Sequence, residues 1–141
     1  MEFEEEYYRR NMKKLSEPVK LWIKALRSGK YKQTKGRLKD VHSFDTTSDT
    51  FDITSDKKFI GHCCLGVACE VAIEQGVIKS FVHKNGTLPI KVKDWLGLST
   101  NEGRFEHNGD SKSLTNLNDS GVSFEKIVKI ISKSPKGLFK K

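Results

Sequence analysis

The chain has 141 residues and a net charge of +8, with 35% apolar and 31% charged residues. This length fits one domain with one sizeable core, and the composition is polar without reaching the disordered range. No apolar run approaches the ~18 residues of a membrane span, the acidic-then-basic start MEFEEEYYRRNMKK lacks the apolar centre of a secretory signal, and three clustered cysteines cannot staple a scaffold. A reducing, cytoplasmic setting away from membranes is expected.

Residues 1–15 carry helical charge pairing but little apolar face, and read as an arm or short helix. SEPVKLWIKALRSG reads as a complete helix. Ser16 caps it, Glu17 and Pro18 suit its first turn, Val19, Trp22, Ile23 and Leu26 make one apolar face, and Gly29 ends it. KYKQTKGRLKD is extended or looped, with Tyr31, Gln33 and Leu38 partly buried. Residues 42–57, rich in Ser, Thr and Asp, predict a long mobile acidic loop or weak hairpin.

A second helix is expected from near Cys63 to Gly76. VIKSFVHKNGTLPIKV suggests a strand, an Asn85-Gly86 turn and a short return, although Pro89 equally suits the start of a short helix ended by Gly97. GRFEHNGD is a candidate strand around Arg104 and Phe105. Leu114 and Leu117 suggest one helical turn, Asn118 and Asp119 fall in a following loop, and Ser123 caps a last helix that buries Phe124, Ile127, Val128 and Ile131. The expected fold is α+β, with about four helices packed around a small antiparallel sheet. It forms one domain over residues 16–132, followed by a basic tail at 133–141.

HCCLGVACEVA holds all three cysteines behind His62. A structural zinc site uses two separated ligand pairs, whereas on a helix Cys64 and Cys69 lie roughly 140° apart. The helix is apolar almost all round, so Cys63, Cys64, Leu65, Cys69 and Gly66 read as core, together with Trp22, Trp95 and Phe124. Gly66 marks close approach of another backbone, because glycine inside a helix otherwise costs about 1 kcal/mol. The competing readings are a reactive thiol at Cys63, near a helix N-terminus, and a metal site completed by His62 or His83. No metal, cofactor or catalytic residue is assigned. His42, His62, His83 and His107 are scattered, and nucleotide-loop, zincin and hydrolase motifs are absent.

Charge is unevenly spread. Residues 18–39 contain Lys20, Lys24, Arg27, Lys30, Lys32, Lys35, Arg37 and Lys39 without an acid, whereas 45–56 contain four Asp without a base. Such asymmetry points to an anionic partner. Arg27, Lys30, Lys32, Arg37 and Arg104 could hold phosphate, Tyr31 could stack, and Gln33 with Asn118 or Asp119 could read polar edges.

Four blocks, LWIKALRSGKYKQTKGRL, HCCLGVACEVA, LPIKVKDWLGL and LTNLNDSGVSFEKIVKII, together resemble a family of small bacteriophage and bacterial proteins. The likeness covers most of residues 21–131 and omits the acidic loop and both termini. It implies a phage-type protein acting in the host cytoplasm, and it marks Tyr31, Gln33, Cys63, Cys64, Asn118 and Asp119 as positions of interest. It implies no reaction. The expectation is a non-enzymatic protein that captures a small anionic ligand, such as a nucleotide or nucleotide-derived host-defence signal. The alternatives are a nucleic-acid-binding module on residues 20–39, a protein-binding inhibitor of a host factor and a Cys63 thiol enzyme. A homo-oligomer is compatible with any of them.

Overall fold

The computed structural model describes residues 9, 10, 12–43 and 58–140. Most of the acidic loop (44–57) and most of the N-terminal arm lie outside the described residues.

Helix α1 (Glu17–Arg27) starts where the Ser16 hydroxyl accepts the Val19 N–H, and it buries Val19, Trp22, Ile23 and Leu26. Strands β1 (Lys32–Gln33), β2 (Lys39–Ser43) and β3 (Lys58–His62) follow. β3 is central. It runs antiparallel to β2, placing Val41 beside Ile60, and parallel to β1, placing Gln33 beside His62. The sheet is therefore mixed rather than purely antiparallel, and the segment read as extended or looped supplies its short parallel edge.

Helix α2 (Cys64–Glu74) leaves β3 at once, and Cys63 is its N-cap. Cys64, Leu65, Gly66, Val67, Ala68, Cys69, Val71 and Ala72 are all buried. The helix lies against α1, and the Trp22 indole donates to the Cys64 carbonyl at 2.9 Å. A Cβ built on Gly66 would sit 1.7 Å from the Leu38 carbonyl oxygen. The same carbonyl accepts the Cys63 N–H at 3.2 Å. The glycine thus admits the backbone leading into β2, as its position in a helix suggested.

Residues 77–89 form no strand, which corrects the expected hairpin at Asn85-Gly86. Among the described residues this segment borders the start of β2 through two backbone bonds, Lys39 N–H to the His83 carbonyl and Leu38 N–H to the Asn85 carbonyl. The Asn-Gly hairpin is at Asn108-Gly109, where both residues have positive φ (52° and 83°). That pair of angles is what a two-residue turn requires. It joins β4 (Arg104–His107) to β5 (Asp110–Ser113) as a separate antiparallel sheet. Pro89 instead leads α3 (Ile90–Leu96), which ends at Gly97 with φ 77°.

Asn118 and Asp119 close helix α4 (Leu114–Asp119), capped by Ser113, rather than standing in a loop. Helix α5 (Phe124–Ser132) is capped by Ser123, and Phe124, Ile127, Val128 and Ile131 face inward. Five named helices and two small sheets make the fold α+β.

The C-terminal stretch is also corrected. Residues 133–140 pack on the body instead of forming a tail. Leu138 is fully buried, Phe139 bridges Leu98, and Lys140 pairs with Asp94 at 2.9 Å. Two apolar residues among the lysines are enough to dock the chain end. Trp95, expected in the core, is half-buried at its margin.

Candidate functional site

Three of the four sequence blocks meet where β1, the start of α2 and the end of α4 converge. Asn118 is fully buried there. Its Oδ1 accepts from Gln33 Nε2 at 2.9 Å and from the Cys64 N–H at 3.1 Å. Its Nδ2 donates to the Thr34 carbonyl at 2.7 Å and to Asp119 Oδ1 at 3.3 Å. A carboxamide has two acceptor and two donor positions, and all four are used. Gln33 Nε2 also donates to the Val122 carbonyl at 2.6 Å, and Asp119 Oδ1 accepts the Gly36 N–H at 2.8 Å. Gln33, Asn118 and Asp119 are thus brought together, as a clasp that ties the β1 loop to two helices.

Beside the clasp, His62 is buried at the end of β3. Its Nε2 lies 2.6 Å from Glu70 Oε2 on α2, and Lys39 Nζ reaches the same oxygen at 3.0 Å. The His62 hydrogen bond and the Lys39 ammonium hold the Glu70 carboxyl down to about 2, against the opposing effect of burial. Tyr31 meets the His62 ring edge-on at 5.0 Å, while its hydroxyl reaches Glu74 at 3.5 Å. Lys30 Nζ stands 5.5 Å from the Tyr31 ring centroid and 3.9 Å from Glu74. Both the edge and the cation contacts of Tyr31 are therefore internal. Burial raises its hydroxyl pKa, with Glu74 and Glu70 adding to the effect. The His62–Glu70 pair escaped sequence reasoning because it depends on the chain turning sharply from β3 into α2.

The three cysteines are free and buried. The Cys63 thiol accepts the Gly66 N–H at 3.3 Å, capping α2. Burial pushes Cys63 up to about 11, and raises Cys64 and Cys69 as well. A protonated, enclosed thiol is a poor nucleophile, despite its place at a helix N-terminus. Among the described residues no group of three or more His, Cys, Asp or Glu side chains could hold a metal ion.

The basic residues lie outside the clasp. Lys24, Arg27, Lys30, Lys32, Lys35 and Arg37 are all exposed, from the second half of α1 through the loop beyond β1. Arg104 is not with them. It belongs to the β4–β5 hairpin, where its guanidinium bonds to Glu102 at 3.3 Å and Ser111 at 3.4 Å.

Fold and site together define an α+β protein in which three of the four sequence blocks meet in an internal hydrogen-bonded clasp, with exposed basic residues outside it. Comparison with protein families, with curated proteins and with solved structures finds no match.

Proposed function

We propose that the protein acts by binding, and that its partner is a phosphate-bearing strand, held by charge on the surface of residues 24–37. The supporting observation is the run of exposed cations Lys24, Arg27, Lys30, Lys32, Lys35 and Arg37, spread over an open surface. Lys35 Nζ extends this surface to the start of the last helix, where a Cβ on Gly121 would lie 3.9 Å from it. Capture of a small nucleotide would need directional polar groups in addition to charge. Gln33 and Asn118, the groups expected to supply them, are engaged in the clasp. Charge spread along a surface without edge-reading groups is the pattern of sequence-independent contact with a nucleic-acid backbone.

Fluorescence anisotropy of a labelled single-stranded oligonucleotide, titrated at several salt concentrations, tests this. Neutralising about three to five phosphates gives a log–log salt slope of about −2 to −4 for a single strand. The Lys24→Glu, Lys35→Glu, Arg37→Glu variant should lose about tenfold or more in affinity and keep its melting temperature. Absence of saturable binding at low salt overturns the reading. Salt-insensitive binding of a mononucleotide or cyclic dinucleotide would replace it with capture of a small signal.

A further inference from the structure

A second surface, lined by none of residues 24–37, has the make-up of a small-molecule site. A groove of about 310 Å³ lies between the β4–β5 hairpin and the end of α5. Its lining has two parts. Phe105, Leu117, Ile130 and Pro135 supply apolar walls, and His107, Lys112 and Lys133 supply the polar ones. None of the lining residues is acidic.

The placement follows from local structure. In the hairpin register Phe105 stands opposite Lys112 and His107 opposite Asp110. Directly opposed residues share a sheet face, so Lys112 rises beside the buried Phe105 ring. Arg104 and Glu106 alternate to the other face, and Glu106 pairs there with Lys136 at 3.5 Å. The remaining walls come from α4, α5 and the residues just after α5. Leu117 and Ile130 are half-buried against the core, and Lys133, the C-cap of α5, is exposed at the mouth. Asp110, opposite His107 at the hairpin tip, is the one acid on this face of the hairpin.

We propose that this groove binds a small amphiphilic anion, an aliphatic or aromatic body carrying a single carboxylate, sulfonate or phosphate. The apolar walls take the body, while Lys112 and Lys133 take the charged head. Two observations select this class. The volume lies at the lower end of small-molecule sites, which run from about 300 to 1,000 Å³. Lys112 and Lys133 are both exposed beside the apolar walls, so an anionic head can pair with them while an uncharged ligand gains nothing from them.

Anilinonaphthalene sulfonate is a suitable probe, and decanoate and decanol are the matched competitors. The intact protein at neutral pH should give a saturable fluorescence rise with one site per chain. Decanoate should displace the probe, and decanol should do so at least about tenfold less well. The Lys112→Glu, Lys133→Glu variant should bind the probe about tenfold or more weakly at an unchanged melting temperature. Amide resonances of Phe105, Leu117 and Ile130 should move during the titration. The Lys24→Glu, Lys35→Glu, Arg37→Glu variant should bind the probe as the parent does, which separates this site from the phosphate surface. The proposal is overturned by any of three results: no saturable rise, equal affinity in the charge-reversed groove variant, or equal displacement by decanol and decanoate.

Discussion

Asn118 shows how far one side chain can organise this molecule. With all four positions of its carboxamide used, it satisfies the Cys64 N–H at the start of α2, the Thr34 carbonyl after β1 and the Gln33 amide. Removing it strands buried polar groups, each costing about 1–3 kcal/mol. Asn118→Ala should therefore destabilise the protein by about 3 kcal/mol or more, read as a lower urea midpoint at an unchanged m value. A loss under about 1 kcal/mol would show that the clasp is dispensable.

Glu70 makes a second prediction at this scale. His62 and Lys39 hold its carboxyl down to about 2, from an ordinary value of 4.5. The unfolded chain therefore binds the proton more readily than the folded one in this range. The stabilising contribution is fully present above about 4.5 and is lost as pH falls towards about 2. Melting temperature followed from pH 7 to 2 should fall through this window. Glu70→Gln should melt lower at pH 7, by about 1–2 kcal/mol for a charge-assisted bond, and should fall less steeply below pH 5. Parallel curves for the two proteins would remove the pair from the account of acid stability.

At the scale of elements, α2 carries the fold because it is apolar on nearly every side and touches both α1 and the sheet. Gly66 sets its distance from the chain entering β2. In an exposed helix, Gly to Ala stabilises by about 1 kcal/mol. Here the sign reverses. The added methyl would lie 1.7 Å from the Leu38 carbonyl oxygen, and a backbone atom cannot swing aside as a flexible side chain can. Gly66→Ala should cost about 3 kcal/mol or more, or abolish soluble expression, as overpacking against a rigid neighbour does. Unchanged thermal melting of a soluble variant would contradict this.

Over the whole molecule, capped amphipathic helices were the most legible part. Ser16 and Ser123 announced α1 and α5, and Val19, Trp22, Ile23 and Leu26 announced a buried face, because helix periodicity and capping are local. The small sheets were less legible. The sequence offers Asn-Gly twice, at Asn85-Gly86 and at Asn108-Gly109, and only the second makes a two-residue hairpin. That one is flanked on both sides by four-residue strands, RFEH and DSKS. The first is followed by Pro89, which has no N–H for a ladder and leads a helix instead. Leu138 and Phe139 were hidden in a lysine-rich end, since two apolar residues make no periodic pattern. The candidate site was legible as a set of positions but not as a role. Gln33, Asn118 and Asp119 were singled out together and do meet, yet whether an amide faces a ligand or its own backbone depends on partners 54 to 89 residues away.

Composition and local pattern by themselves determined the positive charge, the α+β class, the apolar character of HCCLGVACEVA and the need for glycine at position 66. These follow from short-range sterics, capping and periodicity. Only the tertiary structure decided that the buried cysteines have raised pKa values, that His62 pairs with Glu70, that the polar block residues form a clasp and that an amphiphilic groove lies beside the hairpin. Burial and hydrogen-bond pairing are properties of residues distant in sequence, and they are defined only when the chain has folded.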